Sequence, residues 1–99
     1  MCPEVEGEER IDVILEIPGK FKMERIHSNN SKSEEGYWYD QDQSEWVMVL
    51  KGKATVEFEE DKRVIEMKEG DTLLIKPHEK HRVASTDPFP GTIWLALFW

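Results

Sequence analysis

A single cysteine, Cys2, in 99 residues excludes an internal disulfide and gives secretion no support. Basic residues are also scarce: 13 Lys and Arg stand against 21 Asp and Glu, for a formal charge of −8. The only local basic excess is Lys20, Lys22, Arg25 and Lys32. Phosphate binding needs clustered cations, so nucleic acid is excluded as the main partner. The chain begins Met1-Cys2-Pro3-Glu4, without a basic start or an apolar run, and no stretch approaches membrane-spanning length. A cytoplasmic protein with no membrane partner is therefore expected. No window carries a helical period, and the apolar fraction of 38% allows only a modest core.

What is present is aromatic bulk and alternation. Four Trp, four Phe and two Tyr supply large side chains for one small core, and the length suits one domain. Residues 1–9 are acidic and lack periodicity, which predicts a mobile leader, with Cys2 in a frayed tail, ahead of a barrel domain over residues 10–99. The runs Glu4–Glu9 and Glu57–Asp61 read as solvated tail or face. Ile11, Val13, Leu15 and Ile17 alternate with Asp12, Ile14 and Glu16, a half-buried strand that ends at Pro18-Gly19. Phe21, Met23 and Arg25 continue the alternation, and Ser28-Asn29-Asn30-Ser31 is a loop.

From Trp46 onward strands and turns follow without interruption. Trp46–Leu50 is apolar on both faces, Lys51-Gly52 turns the chain, and Ala54, Val56 and Phe58 point to one side of the next strand. Val64–Met67, Thr72–Ile75, Val83–Ser85 and Thr92–Trp99 are further strands, divided by Glu60-Asp61-Lys62, Glu69-Gly70-Asp71, Pro77 and the Asp87–Gly91 loop. Short strands about ten residues apart predict an all-β sandwich or barrel.

Two segments carry a resemblance. Glu45-Trp46-Val47-Met48-Val49-Leu50-Lys51-Gly52 resembles the end of the first cupin motif, in which six residues separate a Glu from a Gly. Gly70-Asp71-Thr72-Leu73-Leu74-Ile75-Lys76-Pro77-His78-Glu79-Lys80-His81 resembles the second, with His78 in place of its usual loop Gly. The chain is thus identified as similar to small single-domain cupins of the stand-alone type, with the motif-bearing core over residues 36–98. The fold this implies is a double-stranded β-helix, the jelly-roll β-barrel.

The resemblance also implies a site. Metal-holding cupins take two ligands from a His-x-His pair three or four residues before the Glu, then the Glu and the second-motif His. Here Glu45 and His81 remain. The pair is replaced by Tyr39 and Gln41 on one count, or by Trp38 and Asp40 on the other. A zinc site wants three or four N, S or O donors, so beside Glu45 and His81 a third is expected from His78 and a fourth from the side-chain oxygen of Gln41 or Asp40, to hold Zn, Mn, Fe or Ni. The plainer readings are a hydrogen-bonded structural His81, an exposed His78, a structural His27, and Tyr37, Trp38 and Tyr39 as core rather than a ligand-stacking wall.

Three functions follow for a small molecule in the barrel mouth, near Tyr39, Gln41 and Trp38. It is oriented by a metal, or it meets Glu45 and His81 as an acid–base pair in an isomerase-like enzyme, or it is bound and sensed without reaction. With Glu45, Val47 and Val49 inward, Trp46, Met48 and Leu50 face outward beside an apolar last strand. That surface predicts a homodimer, with the N-terminal strand folded over the same face as the alternative.

Overall fold

The computed structural model describes residues 1–99, and all of its regular elements are strands. They are β1 (Glu9–Ile17), β2 (Phe21–Ser28), β3 (Glu45–Lys51), β4 (Ala54–Phe58), β5 (Val64–Met67), β6 (Thr72–Ile75), β7 (His81–Thr86) and β8 (Thr92–Phe98). Neighbours run antiparallel in two sheets, ordered β1-β2-β8-β3-β6 and β5-β4-β7. The chain changes sheet between β3 and β4 and at each step from β5 to β8, and the inner faces close over one core of Val47, Val49, Ala54, Val56, Phe58, Met67, Ile75, Trp94 and Ala96. Strand alternation builds it: Val47 and Val49 from β3 meet Ala54, Val56 and Phe58 from β4.

Gly52 makes the β3–β4 turn. Its φ of 78° is one that other residues rarely adopt, and a Cβ there would lie 2.9 Å from both Asp87 Oδ2 and Gly91 O. Space and conformation both demand glycine at this position.

The N-terminal third departs from the simple alternation. β1 is not half-buried: Ile11, Val13, Leu15 and Ile17 are all exposed. A bulge at Ile14 also breaks the alternation, because Val13 pairs with Glu24 whereas Leu15 pairs with Met23. One extra residue moves the pattern to the opposite face, so Ile11 and Val13 share the inner face with Ile26, and Leu15 and Ile17 the outer. β1 is also an edge strand, paired on one side only. The segment expected as a mobile leader has partners here. Gly7 N–H donates to Asn29 O at 2.7 Å, Asn29 Nδ2 donates to Pro3 O at 3.0 Å, and Asn30 Nδ2 to Glu6 Oε1 at 2.6 Å. Cys2, placed by composition in a frayed tail, is buried against the Gly91 backbone. The turn residues Ser28–Asn30 hold this segment, which composition alone does not reveal.

Candidate functional site

The inward alternation of β3 begins at Glu45, and that of β7 begins at His81. These strands lie in different sheets, so the two side chains meet across the open end of the barrel. His81 Nε2 is 3.6 Å from Glu45 Oε1, with side chains 7% and 13% exposed. That separation is an ion-pair distance, longer than a hydrogen bond. The other ring nitrogen, Nδ1, is 2.9 Å from the Glu79 carbonyl; an Nδ1–H donated to that oxygen directs Nε2 at the carboxylate.

Charge and burial oppose each other at His81. Burial disfavours its cation, but the Glu45 carboxylate and the Glu79 carbonyl together outweigh it, so the imidazole is held above its ordinary pKa. Gln41 orients the carboxylate: its Nε2 donates to Glu45 Oε1 at 3.0 Å. Tyr39 orients the imidazole. Its N–H donates to His81 O at 2.7 Å, it accepts the His81 N–H at 3.1 Å, and its ring stacks on the imidazole with centroids 5.7 Å apart. Burial, with Glu9 next, pushes the Tyr39 phenol upward.

A cavity of about 200 Å³ opens beside the pair. Val47, Val56, Val83 and Trp94 form its apolar wall, while Glu45, His81 and Tyr39 meet Ser31, Lys32, Ser33 and Glu9 around the polar part. Ser33 is already engaged, since its Oγ accepts the Val83 N–H at 3.0 Å. Lys32 and Glu9 were not expected at the site. The signal for Glu9 was its place two residues before Ile11 on the inner face of β1, a pattern hidden by the bulge. Burial, then Glu24, raises the Glu9 pKa.

Of the expected site residues, Glu45, His81, Tyr39 and Gln41 come together, which decides between the two ways of counting back from Glu45. Trp38 does not join them. It lines a separate surface groove with Phe58 and Arg82, and the Arg82 guanidinium lies 5.9 Å from its ring. His78 and Asp40 are also elsewhere. His78 is 63% exposed and turned outward, with Nδ1 2.8 Å from Asp40 Oδ1 and Nε2 3.2 Å from Asp42 Oδ1. The loop ahead of β7 turns between the two histidines, so His78 and His81 diverge despite their spacing. His27 Nε2–H donates to Pro90 O, 2.8 Å away.

These placements test the expected metal shell. Zn, Mn, Fe and Ni need at least three convergent donors, and Glu45 and His81 are two. Gln41 directs its amide nitrogen, a donor, at Glu45, and His78 is committed to aspartates. No three His, Cys, Asp or Glu side chains are grouped to hold an ion. The residues present do not fit the metal centre that the motif spacing suggested.

Comparison with known proteins agrees with the architecture. The family model described as "Cupin domain" matches residues 23–98. A solved structure of a candidate mannose-6-phosphate isomerase from Ralstonia eutropha is 43% identical, with TM-score 0.89, covering 98% of this chain and 89% of that one. An RmlC-like cupin from Shewanella frigidimarina matches at 20% identity and TM-score 0.73, over 96% of this chain and 78% of that one. KdgF from a Halomonas species matches at 16% identity and TM-score 0.77, over 97% and 82%. These last two speak to the fold alone. None of the curated proteins matches.

Proposed function

The chain belongs to the cupin domain family, and on that premise we propose that it binds a small polar molecule in the barrel mouth and moves a proton on it with Glu45 and His81. One observation carries this reading: two titratable side chains, nearly buried, face each other from opposite sheets at 3.6 Å beside a cavity. Groups so placed can act as base and acid on one substrate. Glu45 as carboxylate accepts a proton from a carbon next to a carbonyl. His81 as imidazolium donates its Nε2 proton to the carbonyl oxygen, which gives a neutral enediol, and return of the protons at exchanged positions completes an isomerisation. Gln41 and Tyr39 hold the two groups at their angles. Two donors leave a metal with too few ligands, so the reading routes no step through one.

The description of the Ralstonia relative favours a sugar phosphate as substrate. Ligand sites are commonly about 300–1,000 Å³, so a cavity of about 200 Å³ takes the reacting end of such a molecule. Lys32 at the rim suits its anionic end. The test is deuterium incorporation from solvent into mannose 6-phosphate and fructose 6-phosphate, with a chelator present. The wild-type protein is expected to exchange, and Glu45→Gln or His81→Gln to lose about 10²–10⁴-fold. Exchange that survives both substitutions, or that needs an added divalent ion, would overturn the reading. Thermal stabilisation by the sugar phosphate with no exchange would leave a binding or sensing module instead.

We also assign the molecule a homodimeric state in the cytoplasm. Met23, Trp46, Met48, Leu74, Leu95 and Leu97 sit on one outer sheet face, linked by the pairs Met23 with Leu97, Trp46 with Leu74 and Met48 with Leu95. Such an apolar face asks for a partner. A lone reduced thiol, Cys2, is at home in a reducing compartment. Sedimentation is expected to give twice the chain mass, and Met48→Glu with Leu74→Glu the single mass; a monomeric wild-type protein would refute the assignment.

A further inference from the structure

We infer that His78 is a positioning residue for the Glu45–His81 pair, acting through the segment Tyr39–Asp42. The inference rests on the reading of that pair as the working site. Its observation is an alternation within four residues. Tyr39 stacks on His81 and Gln41 donates to Glu45, whereas Asp40 and Asp42, the residues between and after them, meet the two ring nitrogens of His78. These contacts place successive side chains on opposite sides, so one side of this segment is the wall of the site and the other is the grip of His78.

Three backbone contacts place the segment but leave its rotation free to vary. Tyr39 exchanges two hydrogen bonds with His81, and Gln41 O accepts the His78 N–H at 2.7 Å. Rotation about that line would lift Tyr39 and Gln41 from their partners, and it is the two aspartates on His78 that oppose it. His78 does this from a φ of 60°, where a residue with a Cβ is strained and glycine is not. The side chain is thus kept at a position where backbone energy favours having none. Lys76, Glu79 and Lys80 share its loop, yet Glu79 is turned to the Lys76 N–H and to Arg63, and Lys80 to Glu59, so the aspartates remain with His78.

The experiment uses the whole protein without ligand. In His78→Gly the urea midpoint is expected to stay or rise, since the strain at φ 60° is relieved. The Tyr39 amide is expected to exchange with solvent at least about fivefold faster, because its bond to His81 O opens locally. The ring-current shift of Tyr39 on the His81 ring protons is expected to shrink with it. Asp40→Asn with Asp42→Asn, which keeps the His78 backbone as it is, is expected to reproduce both changes, and His78→Asn, which tolerates the same φ, to do the same. Unchanged Tyr39 exchange and unchanged His81 ring shifts in all three variants would show that His78 is surface decoration. If that result came with deuterium exchange lost in Glu45→Gln, the positioning role would fall and the proton-transfer reading stand. If the NMR changes appeared while the wild-type protein neither bound nor exchanged sugar phosphate, the opposite would hold.

Discussion

His78 and His81 are three residues apart, and each faces carboxylate, yet they occupy opposite electrostatic regimes. His81 is nearly dry, with one carboxylate at 3.6 Å and a carbonyl on its far nitrogen, so its charge is coupled to the barrel. His78 stands in solvent with two aspartates closer than that, at 2.8 and 3.2 Å. The difference teaches that the number and proximity of charged partners does not rank the two. Water screens the closer pair, and burial magnifies the more distant one.

The contrast can be broken most strongly at the buried end. His81→Ala leaves the Glu45 carboxylate nearly buried with Gln41 as its remaining partner, and unfolding in urea is expected to become easier by about 2 kcal/mol or more. The pH dependence sharpens it next. The folded imidazole is raised above its unfolded value of about 6.5. Its stabilisation is therefore fully present below that value and is lost as pH rises through the higher folded value. Urea midpoints across this window are expected to fall on the alkaline side in the wild-type protein and to flatten in His81→Gln.

Smaller is the effect of Glu45→Gln on His81 itself. Loss of the carboxylate leaves burial opposed only by Glu79, through its carbonyl and its charge, so the imidazole is expected to titrate at lower pH than in the wild-type protein, as followed by its ring protons. The smallest change belongs to His78→Ala, expected to alter stability by under about 1 kcal/mol. Raising salt to about 1 M, where screening acts within about 3 Å, is expected to loosen the Asp40 and Asp42 contacts before it disturbs Glu45 and His81. A large stability loss in His78→Ala, or equal salt sensitivity of the two histidines, would erase the distinction.

The legible part of the site was the part set by strand alternation. Glu45 heads a run apolar on both faces, so the motif resemblance pointed it inward and the two-residue step then placed Val47 and Val49 with it, as the core has them; His81 opens the strand that carries Val83 to the cavity. Gln41 and Tyr39 were reachable by the same two-residue step, although nothing local separated them from Trp38 and Asp40. His78 was misplaced by its spacing from His81, because a turn with φ of 60° at that residue sends its side chain away from the barrel. Lys32 and Glu9 were missed because a loop and a bulged edge strand bring them to the cavity, and neither has a periodic signature.

The sequence by itself determined that eight strands form, where most of them turn, and that Ala54, Val56 and Phe58 of β4 share one face, since period-two patterning and glycine conformation are local properties. Only the tertiary structure decided which carboxylate each histidine faces, how the first eight residues pack, and that the bulge at Ile14 puts Val13 and Leu15 on opposite faces. Those outcomes depend on the closing of two sheets over each other, where contacts join residues such as Glu45 and His81, or Asn29 and Pro3, across long stretches of chain that no local pattern spans.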